Sequence, residues 1–171
     1  MINDRFKIEV IKSSELSTFF QTYKPNIDYP KLQEIFNGTL ELCYNQDDVS
    51  FTNVIHVCFD TKEQKYCALL NIGTTTDIDD IVSIDVEFLF VEKEYRKIYF
   101  EELENIKLSE YLLIDYVVLT IGETIKNQIG INTVALTPAT NKIRELYSFY
   151  GFQTIQGSGS KEAEDWMIFN L

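Results

Sequence analysis

The sequence predicts a mixed α/β fold, and three observations carry that reading. Residues 132–136 form a strand-like run that feeds a helix, and the helix ends at Gly151 before another strand begins at Phe152. Three strand-like runs follow one another at 51–59, 65–72 and 81–91, which is the pattern of an antiparallel meander. A long apolar helix over 106–128 separates that meander from the strand at 132–136, so the second half contains at least one parallel crossover.

Each element has a local reason. Residues 5–11 alternate Phe6, Ile8 and Val10 against Lys7 and Glu9, the period of a strand. Ser13 and Ser14 offer caps to a helix through about Tyr23, which Pro25 closes. Asp28, Tyr29 and Pro30 start a short second helix, with Leu32, Ile35 and Phe36 on one side and Gly38 as its expected stop. Residues 45–50 are polar turn material, and 60–64 connect a hairpin. Residues 74–80 carry Asp77, Asp79 and Asp80 without the glycine-bearing loop of a calcium site, and read as a solvated turn. The run 81–91 is the longest strand candidate, with burial on both faces near its end. Residues 92–105 mix charge with aromatics and fit an extended loop or a short helix equally.

The helix over 106–128 spreads Leu108, Leu112, Leu113, Tyr116, Val117, Leu119, Thr120 and Ile121 over a broad surface, so it should pack on more than one side. Gly122 weakens it and Gly130 ends it. In the next helix Thr137 is the expected cap and Pro138 the first residue, while Ile143, Leu146, Tyr147 and Tyr150 line one face. Residues 157–160, Gly-Ser-Gly-Ser, connect flexibly to a last strand at 166–169.

At 171 residues, with 45% apolar and 25% charged residues, the chain is read as one globular domain. Asp115 interrupts the most apolar stretch and the N-terminal residues lack a signal-peptide core, so a cytoplasmic protein away from membranes is expected. Cys43, Cys58 and Cys67 have no metal-ligand spacing and read as reduced thiols, and His56 alternates within a strand as a structural residue. No metal is expected. The net charge of −12 argues against a nucleic-acid partner, because phosphate contacts need clustered Lys and Arg.

Two stretches carry a resemblance. Residues 141–152, NKIRELYSFYGF, are similar to the Asn-…-Leu-Tyr-x-x-x-Gly-Phe segment of the GCN5-related N-acetyltransferase (GNAT) superfamily, and 88–96, FLFVEKEYR, look like the end of that family's fourth strand running into its pyrophosphate loop. The element order agrees over nearly the whole chain, and the residue-level likeness runs from about Asp85 to Phe152. The resemblance implies a central, mostly antiparallel sheet flanked by helices and splayed between the fourth and fifth main strands, here 81–91 and 132–136. It implies acetyl-CoA as co-substrate in that gap, with the backbone of Leu89, Phe90 and Val91 reading the pantetheine arm.

The implied chemistry is direct attack of a primary amine on the thioester. Tyr147 stands where the family often places a general acid for the departing thiolate, Asp85 stands where some members place a glutamate base, and Glu87 lies on the same strand face. Asn141 is either a solvent-facing residue of the first helical turn or a hydrogen-bond partner of the pantetheine. The family's loop reads Arg/Gln-x-x-Gly-x-Gly/Ala, and here Arg96 is followed by Lys97-Ile98-Tyr99-Phe100-Glu101 with no glycine. The helix starts late, as though about eight to ten residues were inserted, judged from where its periodicity begins. Lys107 and Ser109 could then serve the phosphates from a displaced helix start, while Glu101, Glu102 and Glu104 would repel them. The expected function is an N-acetyltransferase acting on a small-molecule or peptide amine, with no nucleic acid as partner and a homodimer left open. The alternative is a GNAT-fold binding or assembly module that has lost normal CoA binding. An acetyltransferase of charged tRNA, a kind found in the superfamily, is disfavoured by the net charge.

Overall fold

A computed structural model describes residues 4–44, 53–160 and 164–171. The turn expected over 45–50, the start of the strand expected at 51 and the side chain of Cys43 lie outside the described residues. The first half comprises β1 (Phe6–Ile11), a 3-10 turn (Ser13–Glu15), α1 (Leu16–Thr22), α2 (Pro30–Tyr44), β2 (Val54–Asp60), β3 (Lys65–Thr75) and β4 (Ser83–Val91). A 3-10 turn (Lys93–Tyr95), β5 (Tyr99–Phe100), another 3-10 turn (Glu101–Leu103) and β6 (Ile106–Lys107) follow. A helical run then passes through α3 (Leu108–Glu110), a π-helix (Tyr111–Gly122) and α4 (Glu123–Ile129). The chain closes with β7 (Thr133–Leu136), α5 (Asn141–Phe149), β8 (Gln153–Thr154) and β9 (Met167–Asn170). Among the described residues seven strands form one sheet in the order β1-β2-β3-β4-β7-β9-β8, and β5 pairs with β6. β3, with eleven residues, is longer than β4, with nine, because the strand runs on past Ile72 through Gly73 to Thr75.

The described chain falls into two compact units, one of residues 1–72 and 88–109 and one of 73–87 and 110–171. In the first, β1 pairs antiparallel with β2 and β2 with β3, with a bulge at Cys58 and Phe59. Ile55, Val57, Leu69, Phe88 and Phe90 share a core with Leu16, Tyr23 and Phe36, which α1, α2 and the residues just beyond α1 supply. The second helix does not stop at Gly38. Its apolar face continues from Leu32, Ile35 and Phe36 to the buried Thr39 and to Leu40, and that packing outweighs the cost of about 1 kcal/mol for an internal glycine. Cys58 and Cys67 are free and buried, and the Cys67 thiol donates to the Cys58 carbonyl at 3.4 Å. Burial pushes the His56 imidazole down to about 4, so it is neutral at pH 7.

One buried carboxylate, Asp60, helps to hold the stretch 92–109. Asp60 accepts both Arg5 Nε and Nη2 (3.1 and 2.9 Å), the Tyr95 hydroxyl (3.0 Å) and the backbone N–H groups of Lys62 and Glu63 (2.9 and 3.3 Å). Burial opposes its charge, yet these donors hold its carboxyl below the usual range. Arg5 also donates to Glu102 at 2.9 Å and lies over the Phe6 and Phe100 rings. Tyr95 and Phe100 therefore serve as packing around Phe6, while Tyr99 is 61% exposed.

In the second unit β7 runs parallel to β4 and antiparallel to β9, which pairs with β8. The π-helix removes the difficulty posed by its broad apolar surface. Hydrogen bonding from i to i+5 winds the chain more slowly than an α-helix and so brings residues five apart nearer to one face. Leu112, Val117 and Gly122 form one file and Leu113 and Val118 a second, and all five are buried. An α-helix would scatter these positions around its axis. Gly122 is a close-approach site, since a Cβ there would lie 2.7 Å from a Leu171 methyl.

Asp60 is 0% exposed and its removal takes the shared buried acceptor from Arg5 and Tyr95, so Asp60→Ala should cost about 3–5 kcal/mol in urea unfolding. A loss below about 1 kcal/mol would show that Arg5 and Tyr95 find other partners.

Candidate active site

The candidate site residues fall into two groups, one in each unit. β4 carries members of both. In the second unit β4 is in register with β7 only at Ile84↔Val134, Asp85↔Ala135 and Val86↔Leu136, where β7 ends. β4 continues to Val91. The Glu92 N–H donates to the Cys67 carbonyl of β3 at 2.9 Å, so the backbone at 92 faces β3. Alternation along a strand then turns the backbone groups of Leu89 and Val91 to the opposite edge, and those of Phe90 toward β3. Of the three residues expected to read a ligand with their backbone, Leu89 and Val91 present groups to that edge.

The same alternation puts the side chains of Asp85 and Glu87 on one face of β4, with Ser83 and Leu89, while Ile84, Val86, Phe88 and Phe90 are buried on the other. Burial, with the nearby charges of Glu87 and Asp77, pushes the Asp85 carboxyl up to about 7. That places a proton acceptor near neutrality, where general bases work best.

Tyr147 belongs to α5, which begins later than expected. Thr140, not Thr137, is the cap. Its Oγ1 accepts the Ile143 N–H at 3.2 Å and its backbone is extended, whereas Thr137 and Pro138 lie outside the helix. A threonine that can reach the third N–H of the helix outweighs the preference of proline for a first helical position. Asn141 is the first helical residue and is exposed. At the other end Gly151 adopts φ +101°, its N–H donates to Ser148 O at 3.1 Å, and the Phe152 N–H donates to Tyr147 O at 3.0 Å. This is a Schellman motif with Tyr147 at its first acceptor and Phe152 at its last donor, and the Tyr147 and Phe152 rings lie 6.2 Å apart. Burial, helped by Tyr150, raises the Tyr147 pKa, so the hydroxyl keeps its proton at neutral pH.

In the first unit Arg96 donates from Nε to the Val91 carbonyl at 2.7 Å and grips Asp28 with Nη1 and Nη2 at 3.2 and 2.9 Å. Its guanidinium also lies 5.3 Å from the centroid of the Phe90 ring. Lys107 sits 5.2 Å over the Tyr99 ring, and Ser109 lies in the first turn of the helical run, which starts at Leu108. Glu102 turns to Arg5, while Glu101 and Glu104 are exposed. Sequence reasoning missed Asp28, read only as a helix start. It also missed Glu92, a buried carboxyl that accepts the Tyr23 hydroxyl at 2.9 Å and the Asn26 N–H at 3.2 Å. Neither pairing has a short-range signal, since each partner lies more than 60 positions away.

No protein-family profile matches the sequence, and no curated protein matches it. Solved structures match over nearly its whole length. The crystal structure of AtaTR bound with acetyl-CoA is 11% identical, with a TM-score of 0.64 over 98% of this chain and 94% of that one. AtaT complexed with acetyl-methionyl-tRNAfMet is 12% identical, with a TM-score of 0.62 over 96% and 94%. The KacTA–DNA complex is 12% identical, with a TM-score of 0.61 over 97% and 93%. The chain has the fold of these GNAT proteins, a mostly antiparallel mixed sheet flanked by helices.

The expectation of a small-molecule or peptide acceptor and no nucleic acid does not stand. Structures of this fold include an AtaT–tRNA complex, a KacTA–DNA complex and a DNA-bound AtaT–AtaR complex. The net charge of −12 sums over the whole chain, whereas phosphate contact needs only a local group of cations. Among the described residues no helix is long and apolar enough to cross a membrane.

The Asp85 pKa gives a stability prediction. Its folded value of about 7 lies above the unfolded value near 3.9, so stability is fully present below about pH 4 and is lost as pH rises toward 7. His56 contributes a slope of the opposite sign, because stability from its depressed pKa is lost as pH falls from about 6.5 to about 4. The Asp85→Asn chain shares the His56 term. The difference between variant and wild type should therefore grow by roughly 1–3 kcal/mol between pH 4 and 8, in favour of the variant. Parallel urea-melt profiles for the two chains would show that Asp85 titrates normally.

Proposed function

We propose that this protein is an acetyl-CoA-dependent N-acetyltransferase whose acceptor is the primary amine of an aminoacyl group carried on tRNA. The observation that carries the reading is the edge of β4 beyond Val86, which β7 does not pair, in a fold shared with structures described as bound to acetyl-CoA. Backbone groups of Leu89 and Val91 on that edge match the amide N–H and C=O groups of a pantetheine arm. The complex of AtaT with acetyl-methionyl-tRNAfMet, which has the same fold, supports this choice of acceptor.

In this reading the neutral amine attacks the thioester carbonyl carbon, a C–N bond forms and the C–S bond breaks. Asp85, held near neutrality, takes the proton that the nitrogen loses, directly or through water, and Glu87 keeps the local field negative. Tyr147 keeps its proton at neutral pH and donates it to the departing thiolate. Arg96, Lys107 and Ser109 supply phosphate contacts in place of glycine-loop amides, and Asn141 meets the pantetheine from the start of α5. The second reading, a GNAT-fold module without transfer, draws on the engagement of Arg96 by Asp28 and on the exposed Glu101 and Glu104.

Thermal melts with and without acetyl-CoA separate the two. A ligand at about a hundred times its dissociation constant adds ~2.7 kcal/mol, and the absence of any shift at millimolar acetyl-CoA would favour the module. Incubation with labelled acetyl-CoA and aminoacylated tRNA should place label on the aminoacyl nitrogen, and deacylated tRNA should stay unlabelled. Tyr147→Phe should lower kcat by roughly a hundredfold with little change in KM. Unchanged kcat would remove that role from Tyr147 while leaving the activity in place.

A further inference from the structure

Arg96 is engaged in an unusual way for a residue beside an open strand edge. Its Nε donates to the Val91 carbonyl at 2.7 Å, a group that alternation turns to the edge of β4 that β7 does not pair beyond Val86. Its two terminal nitrogens form a fork on both carboxylate oxygens of Asp28. Arg96 and Asp28 are 34% and 36% exposed, so solvent and solutes reach the pair. The guanidinium beside Asp28 holds that carboxyl below the usual range. Asp28 stands at the end of the segment joining α1 to α2, and that segment is fastened separately where Glu92 accepts the Tyr23 hydroxyl and the Asn26 N–H.

We propose that Arg96 is a latch on the β4 edge, closed by Asp28 and opened by a phosphate-bearing ligand. With the latch closed, Nε already donates to the Val91 carbonyl, so an incoming amide N–H must share that acceptor with the guanidinium. A pyrophosphate offers the guanidinium the same bidentate geometry as a carboxylate, with more charge. Exchange of Asp28 for phosphate draws the side chain off the strand and frees the Val91 carbonyl. The inference rests on the acetyl-CoA reading and adds to it that the phosphate end of the ligand controls access for the thioester arm. Asp28 is then a positioning residue that acts through Arg96.

The test compares two probes, acetyl-CoA and S-acetylpantetheine, which lacks the phosphates and the nucleotide, by calorimetric titration. Asp28→Asn should tighten acetyl-CoA about two- to fivefold, the scale of an exposed ion pair, and far-UV spectra should show the variant folded. Arg96→Ala should weaken acetyl-CoA and tighten S-acetylpantetheine, since it removes the phosphate contact and clears the Val91 carbonyl together. Opposite signs for the two probes are expected from a latch alone. An Asp28→Asn chain that binds acetyl-CoA as wild type does, or an Arg96→Ala chain that weakens both probes, would overturn the latch and leave the cofactor reading standing. Wild-type protein that binds neither probe at millimolar concentration would overturn both.

Discussion

β7 stops at Leu136, and much of the candidate chemistry depends on that stop. A strand four residues long pairs with a strand of nine, so β4 keeps its β7-side register for three residues and then runs on without it. Unpaired backbone groups away from water cost free energy, so an edge of this kind persists only where solvent or a ligand can satisfy it. The chain stops β7 with Thr137 and Pro138, which neither extend the strand nor enter the helix, and Thr140 then caps α5. Proline has no N–H to give to a ladder. The segment 137–140 thus does two tasks at once: it ends a strand and sets where the helix bearing Tyr147 begins.

The most legible part of the site was the spacing Tyr-x-x-x-Gly-Phe, and the structure gives that spacing a physical meaning. Tyr147, Gly151 and Phe152 occupy the positions a Schellman motif needs for its far acceptor, its left-handed residue and its last donor. The motif ties the tyrosine's own carbonyl to the residue two steps beyond the helix and sets its ring beside Phe152. Tyr147 is therefore anchored at its backbone by its neighbours in sequence. Local hydrogen bonding of this type can be read from residue order, which is why the helix end was correct to the residue. Its beginning was displaced by three residues, because Thr137 and Thr140 are equally good caps by composition and only the folded backbone distinguishes them.

What could not be read was decided by packing or by distant partners. Gly38 passes through a helix because Thr39 and Leu40 extend a buried face. The five-residue files of the π-helix were present in the sequence as Leu112, Val117, Gly122 and Leu113, Val118, but a search at a period of 3.6 smears them into a broad surface. The stretch 92–105 had no decisive period since its conformation is imposed from outside, by Asp60 and Arg5 at one point and by Asp28 at another. Net charge misled for a related reason: a sum over the chain contains nothing about where the cations stand.

The two fastenings of the segment between α1 and α2 differ in kind, and the proposed latch draws on that difference. At Glu92 the hydrogen bonds from Tyr23 and Asn26 involve a carboxyl only 7% exposed, and leaving such partners unsatisfied costs about 1–3 kcal/mol each. At Asp28 the ion pair is open to solvent, and screening leaves it weak. The first contact holds the segment in place and the second is readily exchanged. Glycine loops bind phosphate with fixed backbone N–H groups that need no rearrangement. In the proposed latch the corresponding donor is a long side chain already held by Asp28, so phosphate binding would be an exchange between anions. A rigid anchor beside a labile one lets the guanidinium move while the strand and the linker that flank it stay where they are.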